Sequence, residues 1–346
     1  MKDVGIVGLP LAGKTTLFNA LTRAGVPIGG AAGKANVAAV PVPDERVDVL
    51  AELERSRKRV FVQVRFVDVV APAGGKGGGL SAQALGGLRE ADALAMVLAA
   101  FGGEDPVAAA AELTLELTVA DLESISSGAD KAAKKAKAGV KDAQLEAATL
   151  SRARELLDAG TPLRAAAWEP EEDKVLRNFS PLTRKPVLAV VNLGEDQVGE
   201  AAERAAAVER ALDVPAVAVP AALEAEAAEL EPAEAAEFLA SYGVEHGGLD
   251  QVVGAAWRLL DLLTFFTTGE DETRAWELRR GATAPEAAGR IHSDLERGFI
   301  RAEVIAYDDV VDAGGWDAAR SKGLLHAEGR SYVVREADCL NIRFNV

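Results

Sequence analysis

Val4-Gly5-Ile6-Val7-Gly8-Leu9-Pro10-Leu11-Ala12-Gly13-Lys14-Thr15-Thr16-Leu17-Phe18-Asn19-Ala20-Leu21 decides how this chain is read. Residues 4–7 are an apolar run, glycines follow at 8 and 13, and residues 17–21 carry apolar side chains at helical spacing. That pattern is a buried strand, a turn and a helix in direct succession. Inside it, Gly8-x-x-x-x-Gly13-Lys14-Thr15 has the spacing of a P-loop. Glycines let successive backbone N–H groups curl around a phosphate, and the helix N-terminus adds the positive end of its dipole. Lys14 would reach the β- and γ-phosphates of a nucleotide, and Thr15 would place its hydroxyl on Mg2+. A glycine-rich turn with an incidental lysine is the bland alternative; the flanking strand and helix favour phosphate binding.

Further apolar runs follow at Val60–Val70, Ala91–Phe101, Val187–Val191 and Ala216–Val219, separated by helical stretches. Strands alternating with helices predict an α/β fold with a mostly parallel sheet. Asp68 falls near the end of one strand, where a Walker B carboxylate would hold Mg2+ through a water. After it, Ala73-Gly74-Gly75-Lys76-Gly77-Gly78-Gly79-Leu80 reads as a switch loop ordered by ligand, or as a plain mobile loop.

Between the third and fourth strand groups the texture changes. Residues from about Pro106 to Asp173 are rich in Ala, Leu, Glu and Lys, with no strand-like run, and predict a helical insertion. Gly128 and Gly139 point to a turn near one end of an antiparallel helix pair. The cluster Lys131, Lys134, Lys135, Lys137 and Lys141 is either a solvated helix face or a contact for a phosphate backbone. Toward the C-terminus, Ala275–Arg279, Ile300–Tyr307, Ser331–Val334 and Leu340–Phe344 read as short strands, with a helix near Ala284–Glu296. These predict a small mixed α/β module.

Composition bounds the function. A chain of 346 residues has room for two or three domains, and 49% hydrophobic with 27% charged residues describes a folded soluble protein. Cys339 is the only cysteine, which excludes an intramolecular disulfide and a cysteine-based zinc site and fits a reducing compartment. No apolar run is long enough to cross a bilayer, and the N-terminus lacks signal-peptide character. The expected location is the cytoplasm. A net charge of -16 repels polyanions at long range, so indiscriminate nucleic-acid binding is not expected, although a local basic patch could dock on RNA. Three histidines without paired spacing argue against a histidine metal site.

Asn192-Leu193-Gly194-Glu195 follows the run Val187–Val191. P-loop GTPases normally read Asn-Lys-x-Asp here, and that Asp accepts two hydrogen bonds from guanine. Glu195 is one methylene longer, and Leu193 replaces the lysine that stacks on the base. The change weakens the case for GTP and admits ATP.

With these residues in view, the chain resembles the YchF (Obg-like ATPase, EngD) branch of the translation-factor-related P-loop GTPases, nearly end to end. The resemblance is carried by Gly5–Pro10 with Gly13-Lys14, Leu17–Thr22, Asn36-Val37 with Val40–Asp44, Lys76–Leu80, Asn192–Glu195 and Glu224-Ala225-Glu226. Its most specific block is Arg274-Ala275-Trp276, Gly281–Pro285, Ile291–Asp294 and Arg297–Ile305, similar to the family's TGS domain, a ubiquitin-like β-grasp module. The chain also ends on the family-like Phe344-Asn345-Val346. The resemblance implies a P-loop nucleotide-binding domain over 1–105 and 174–262, a helical coiled-coil insertion over 106–173 and a TGS domain over 263–346. It further implies binding of ATP at least as well as GTP, slow hydrolysis and association with ribosomes or ribosomal RNA. The nucleotide residues would be Leu11, Ala12, Gly13, Lys14, Thr15, Thr16, Asn192, Leu193 and Glu195, with Thr15 and Asp68 on Mg2+.

Departures from the family pattern concern the switches. Ala32 stands where the family carries a switch I threonine, and the family's P-loop Asn-Val is Leu11-Ala12. Asp68-Val69-Val70-Ala71-Pro72 lacks the glycine whose N–H senses the γ-phosphate, and no Gln or His follows in 69–75 to orient a water. Two functions are therefore expected in competition. One is a slow nucleoside-triphosphate hydrolase acting near the ribosome. The other is a hydrolysis-deficient nucleotide-binding docking protein working through its TGS and helical parts. A metabolic kinase is a third class, but it leaves the C-terminal module unexplained.

Overall fold

Strand β1 (Lys2–Val7) buries Val4, Ile6 and Val7, as its apolar run demands. The protein is seen here as a computed structural model, which describes residues 1–23, 25–26, 35–69, 80–244 and 247–345. In chain order there follow β2 (Asn36–Pro41), β3 (Arg59–Val60), β4 (Gln63–Asp68), β5 (Ala93–Ala99), β6 (Val187–Asn192) and β7 (Ala216–Val219). One six-stranded sheet has the order β2-β4-β1-β5-β6-β7. Its centre is parallel, with β1 on β5, β5 on β6 and β6 on β7. Covered on both faces, β5 is continuously apolar and β6 is apolar up to its last residue, Asn192, rather than alternating. This is the α/β fold with a largely parallel sheet expected from the sequence.

The run Val60–Val70 is not one strand. β3 and β4 are separate, and β3 pairs in parallel with a strand of the second sheet described below. Val70 lies outside the described residues.

The insertion is a helical hairpin. Helix Pro106–Lys137 starts on the Asp105 side chain, which accepts from the Val107 N–H at 2.9 Å, with proline in the first turn. Helix Ala143–Asp158 returns after a short turn containing Gly139 at φ 75°. The two close on Ile125, Ala129, Ala132, Leu150, Ala153 and Leu157. Gly128 is not the turn its residue type foretold. It lies inside the long helix, where an added Cβ would come within 2.4 Å of the Phe179 ring. The glycine is there for close approach, not for a bend. All five lysines of the 131–141 cluster are exposed, and Lys135 comes within 3.9 Å of Glu146.

Asp121 fixes this hairpin to the chain leading into β6. Fully buried, it accepts from the N–H groups of Leu182 (2.9 Å) and Thr183 (2.7 Å), the Thr183 hydroxyl (2.8 Å) and Arg89 (3.0 Å). Arg89 also donates to the carbonyls of Ala120, Phe179 and Ser180.

The second sheet adds β8 (Leu262–Thr267), β9 (Thr273–Arg279), β10 (Phe299–Ala306), β11 (His326–Glu328) and β12 (Asp338–Phe344). Its order is β11-β10-β12-β8-β9-β3, with β8–β9 and β10–β12 antiparallel and β12–β8 parallel. Helix Ala284–Ile291 begins on a capping box between Thr283 and Glu286 and packs Ala284, Ala287 and Ala288 into the core with Phe265 and Leu340. Ser331–Val334, read as a strand, makes only an isolated bridge from Val333 to Thr283. The strand lies upstream, in His326–Glu328. Its polar residues edge the sheet and carry no apolar signal.

The chain separates into two compact units. One contains Lys2–Val40 and Arg65–Leu259; the other contains Met1, Pro41–Val64 and Leu260–Val346. Residues 41–64, placed by the sequence within the first segment, thus pack with the C-terminal module. The physical reasons are the β3–β9 pairing and Arg46, which ion-pairs with Asp44 and Glu336 and lies 5.1 Å from the centre of the Phe266 ring. The remaining boundaries, including the division at 105/106 and 173/174, stay expectations from the sequence.

Candidate functional site

β1 ends at Val7 and helix α1 (Lys14–Thr22) begins seven residues later, so Gly8–Gly13 forms the connecting loop at the carboxyl edge of the sheet. In open parallel sheets this edge is where ligands bind. α1 is held in place by its buried Leu17, Phe18, Ala20 and Leu21. Its N-terminus has no side-chain cap, so the first-turn N–H groups, lacking intrahelical partners, face the loop. Gly13 sits at φ 91°, and a Cβ there would lie 2.1 Å from Asn192 Nδ2. Only glycine meets both demands. Leu11 also adopts a left-handed conformation, φ 66°, and its side chain is 92% exposed.

Lys14 folds across the loop. Its Nζ donates to the carbonyls of Gly8 (2.9 Å) and Leu9 (2.8 Å). Burial holds its ammonium below the ordinary lysine range, while the charges of Asp68 and Glu116 act in the opposite direction. Among the described residues the cation thus has no direct carboxylate contact, and a phosphate would supply what the two carbonyls only partly replace.

Thr15 and Asp68 converge although 53 positions separate them. The Thr15 hydroxyl donates to Asp68 Oδ2 at 3.1 Å, and Asn36 Nδ2 lies 3.4 Å from the same oxygen. Asp68 is fully buried, and among the described residues its Oδ1 has no hydrogen-bond partner. An orphaned, buried carboxylate oxygen beside a hydroxyl is an oxygen-donor pair suited to a hard cation such as Mg2+, which keeps several waters and completes its shell from phosphate. No cluster of three His, Cys, Asp or Glu side chains that could hold a metal ion occurs among the described residues.

The second loop joins the first through Asn192. Its Nδ2 donates to the Ala12 carbonyl at 3.0 Å and its Oδ1 accepts from the Ala221 N–H at 3.1 Å. The residue expected to read a base therefore braces the phosphate loop. Leu193 is in the core, 2% exposed, so its side chain is not presented for stacking on a base. Glu195 is exposed at the start of a short helical turn, Glu195–Glu200. Gln197 holds that turn by accepting from the Gly194 N–H (3.0 Å) and donating to the Ala100 carbonyl (2.7 Å). Ala12 is buried, while Thr16 is half-buried in the first turn of α1.

Sequence reasoning missed Gln197, because a lone Gln in a short polar turn has no distinguishing pattern. Ala32, Ala71, Pro72 and most of the Ala73–Leu80 stretch lie outside the described residues.

Comparison with known proteins bears on all of this. The family model described as "YchF-GTPase_C: Protein of unknown function (DUF933)" matches residues 262–345. The chain is 39% identical to a protein of Bacillus subtilis (strain 168) named "Ribosome-binding ATPase YchF", over 99% of each chain. It is 32% identical to "Obg-like ATPase 1" of Oryza sativa subsp. indica, over 99% of this chain and 92% of that one. Among solved structures, that of the Schizosaccharomyces pombe YchF GTPase superimposes with a TM-score of 0.85 at 26% identity, covering 99% of this chain and 97% of the other. No helix among the described residues is long and apolar enough to cross a membrane. Alike to these relatives from end to end, and with the P-loop Thr15 hydroxyl set on the distant Asp68, the chain belongs to the YchF/Obg-like ATPase family.

Proposed function

We propose that this chain is an ATP- and GTP-binding P-loop protein that hydrolyses nucleoside triphosphate slowly and works with the ribosome in the cytoplasm. The observation that carries the reading is the convergence of Lys14, Thr15 and Asp68 on the open N-terminus of α1. Thr15 and Asp68 would hold Mg2+, which when bound neutralises charge on the phosphates. Lys14 binds the phosphates, the loop N–H groups orient them, and Asn192 keeps the loop in shape. The ribosome enters as partner through the relatives named ribosome-binding ATPase. The C-terminal module, read as a TGS domain, and the basic end of the helical hairpin are the surfaces we assign to that partner. Titration with ATP and GTP in parallel, followed by phosphate release with and without ribosomes, tests the reading; no binding of either nucleotide sinks it.

Base preference follows from Glu195 and Leu193. The longer carboxylate should fail to reproduce the paired hydrogen bonds to guanine, a loss of roughly 1–3 kcal/mol, or about tenfold to a hundredfold. ATP is expected to bind at least as tightly as GTP. A tenfold preference for GTP in the same titration contradicts this.

Turnover is expected to be slow, because Ala32 offers no hydroxyl to Mg2+, Ala71-Pro72 alters the γ-phosphate sensor and no Gln or His in 69–75 places a water. The unassisted rate should stay below about 1 per second, the low end for proficient phosphoryl transfer. Ala32→Thr combined with Ala71→Gly should raise it. Were the unmodified protein alone to exceed that rate, the missing groups would prove unnecessary.

A further inference from the structure

Strand β2 opens with a polar residue on its inner side. Exposure along Asn36–Pro41 alternates, and Asn36, Ala38 and Val40 are the more buried set. β2 is the edge strand of its sheet and is hydrogen-bonded to β4, whose last residue is Asp68. A half-buried amide needs a partner. Asn36 Nδ2 finds one in Asp68 Oδ2, at 3.4 Å a long hydrogen bond. The Thr15 hydroxyl donates to the same oxygen at 3.1 Å from the first turn of α1. Two donors from different elements thus settle on Oδ2. Oδ1 of this fully buried carboxylate has no hydrogen-bond partner among the described residues.

We propose that Asn36 is a positioning residue of the Mg2+ site: its amide holds Asp68 by Oδ2 and leaves Oδ1 for the cation or a water on it. This rests on the nucleotide reading above. An amide donor is neutral, so it orients the carboxylate without cancelling the charge that attracts a cation, as a lysine or arginine in its place would. Thr15 has a second duty, because its hydroxyl oxygen is itself offered to Mg2+, whereas the Asn36 amide serves Asp68. Ala32, four positions upstream, has no hydroxyl to give, which leaves the site more dependent on Asp68 and on what holds it. Asn36 also comes from a paired strand, so its support is set by the backbone bonds between β2 and β4.

The test uses the full chain, the β,γ-imido analogue of ATP and a series of Mg2+ concentrations, with analogue affinity read by isothermal titration. Asn36→Ala should raise the Mg2+ concentration that gives half of the metal-dependent gain in affinity by about tenfold. That is the low end for losing a partner of a metal ligand, as suits a long contact. Affinity in EDTA should stay within about twofold of the unmodified chain, an outcome that a merely structural role would not give. An unmoved Mg2+ midpoint, or an equal loss of affinity in EDTA, overturns the proposal. A second measurement needs no variant to fold. In the unmodified chain loaded with the analogue, Mn2+ in place of Mg2+ should broaden the side-chain amide resonances of Asn36 beyond detection; resonances that stay sharp overturn the proposal as well. Failure of the unmodified chain to bind the analogue would overturn the nucleotide reading and this one with it, whereas Mg2+-dependent binding indifferent to Asn36→Ala removes only the role of Asn36.

Discussion

Lys14→Ala should weaken binding of ATP and GTP by at least about 100-fold, the loss of two charge-assisted hydrogen bonds to phosphate at roughly 1.5–3 kcal/mol each. The fold should survive. Among the described residues, Lys14 side-chain bonds reach only the carbonyls of Gly8 and Leu9 within its own loop, and burial disfavours its charge, so alanine removes a desolvated cation rather than a core contact. Thermal unfolding should therefore move little or upward while nucleotide affinity collapses. Isothermal titration and a melting curve on the same preparation separate the two. Unchanged affinity in a well-folded variant would refute the P-loop reading.

The second large effect is structural. Asp121→Ala should destabilise the unit that contains it by about 3–5 kcal/mol, the range for removing one partner of a buried ion pair. The variant strands the N–H groups of Leu182 and Thr183 and leaves Arg89 without its carboxylate. Thr183→Val, which removes one hydroxyl and spares the rest, should cost only about 1 kcal/mol. Urea unfolding followed by far-ultraviolet circular dichroism reads both, with the large change expected in the first and not in the second. Equal, small shifts in the two variants would show that Asp121 does not anchor the hairpin. Because the chain folds as two compact units, the transition to follow is that of the unit holding β1, β5 and β6.

The phosphate site was legible in the sequence because its main parts are local. A strand, a glycine-bearing loop and a helix N-terminus occupy consecutive positions, and glycines at 8 and 13 mark backbone that no other residue supplies as easily. Asp68 was legible too, since a carboxylate ending an apolar strand stands out once a P-loop precedes it. The parallel sheet was readable for the same reason as β5 and β6: strands covered on both faces must be apolar throughout.

What tertiary structure alone decided depends on partners distant in sequence. Asn192 reads as a base-recognition residue in the string, and only the fold shows its amide also bracing the Ala12 carbonyl and the Ala221 N–H. Gly128 reads as a turn, but its missing side chain makes room for Phe179, and no local pattern encodes that ring. Residues 41–64 follow the first strands in sequence and pack with the C-terminal module, because β3 finds its hydrogen bonds on β9. Glu116 is one polar residue on a long helix, and only the folding of that helix against the core brings its carboxylate to the Leu80 N–H. The sequence determined which chemistry this chain carries, since backbone conformation and apolar periodicity are local properties. The tertiary structure decided which residues serve that chemistry at a distance, since hydrogen bonds and charges act through space and not along the chain.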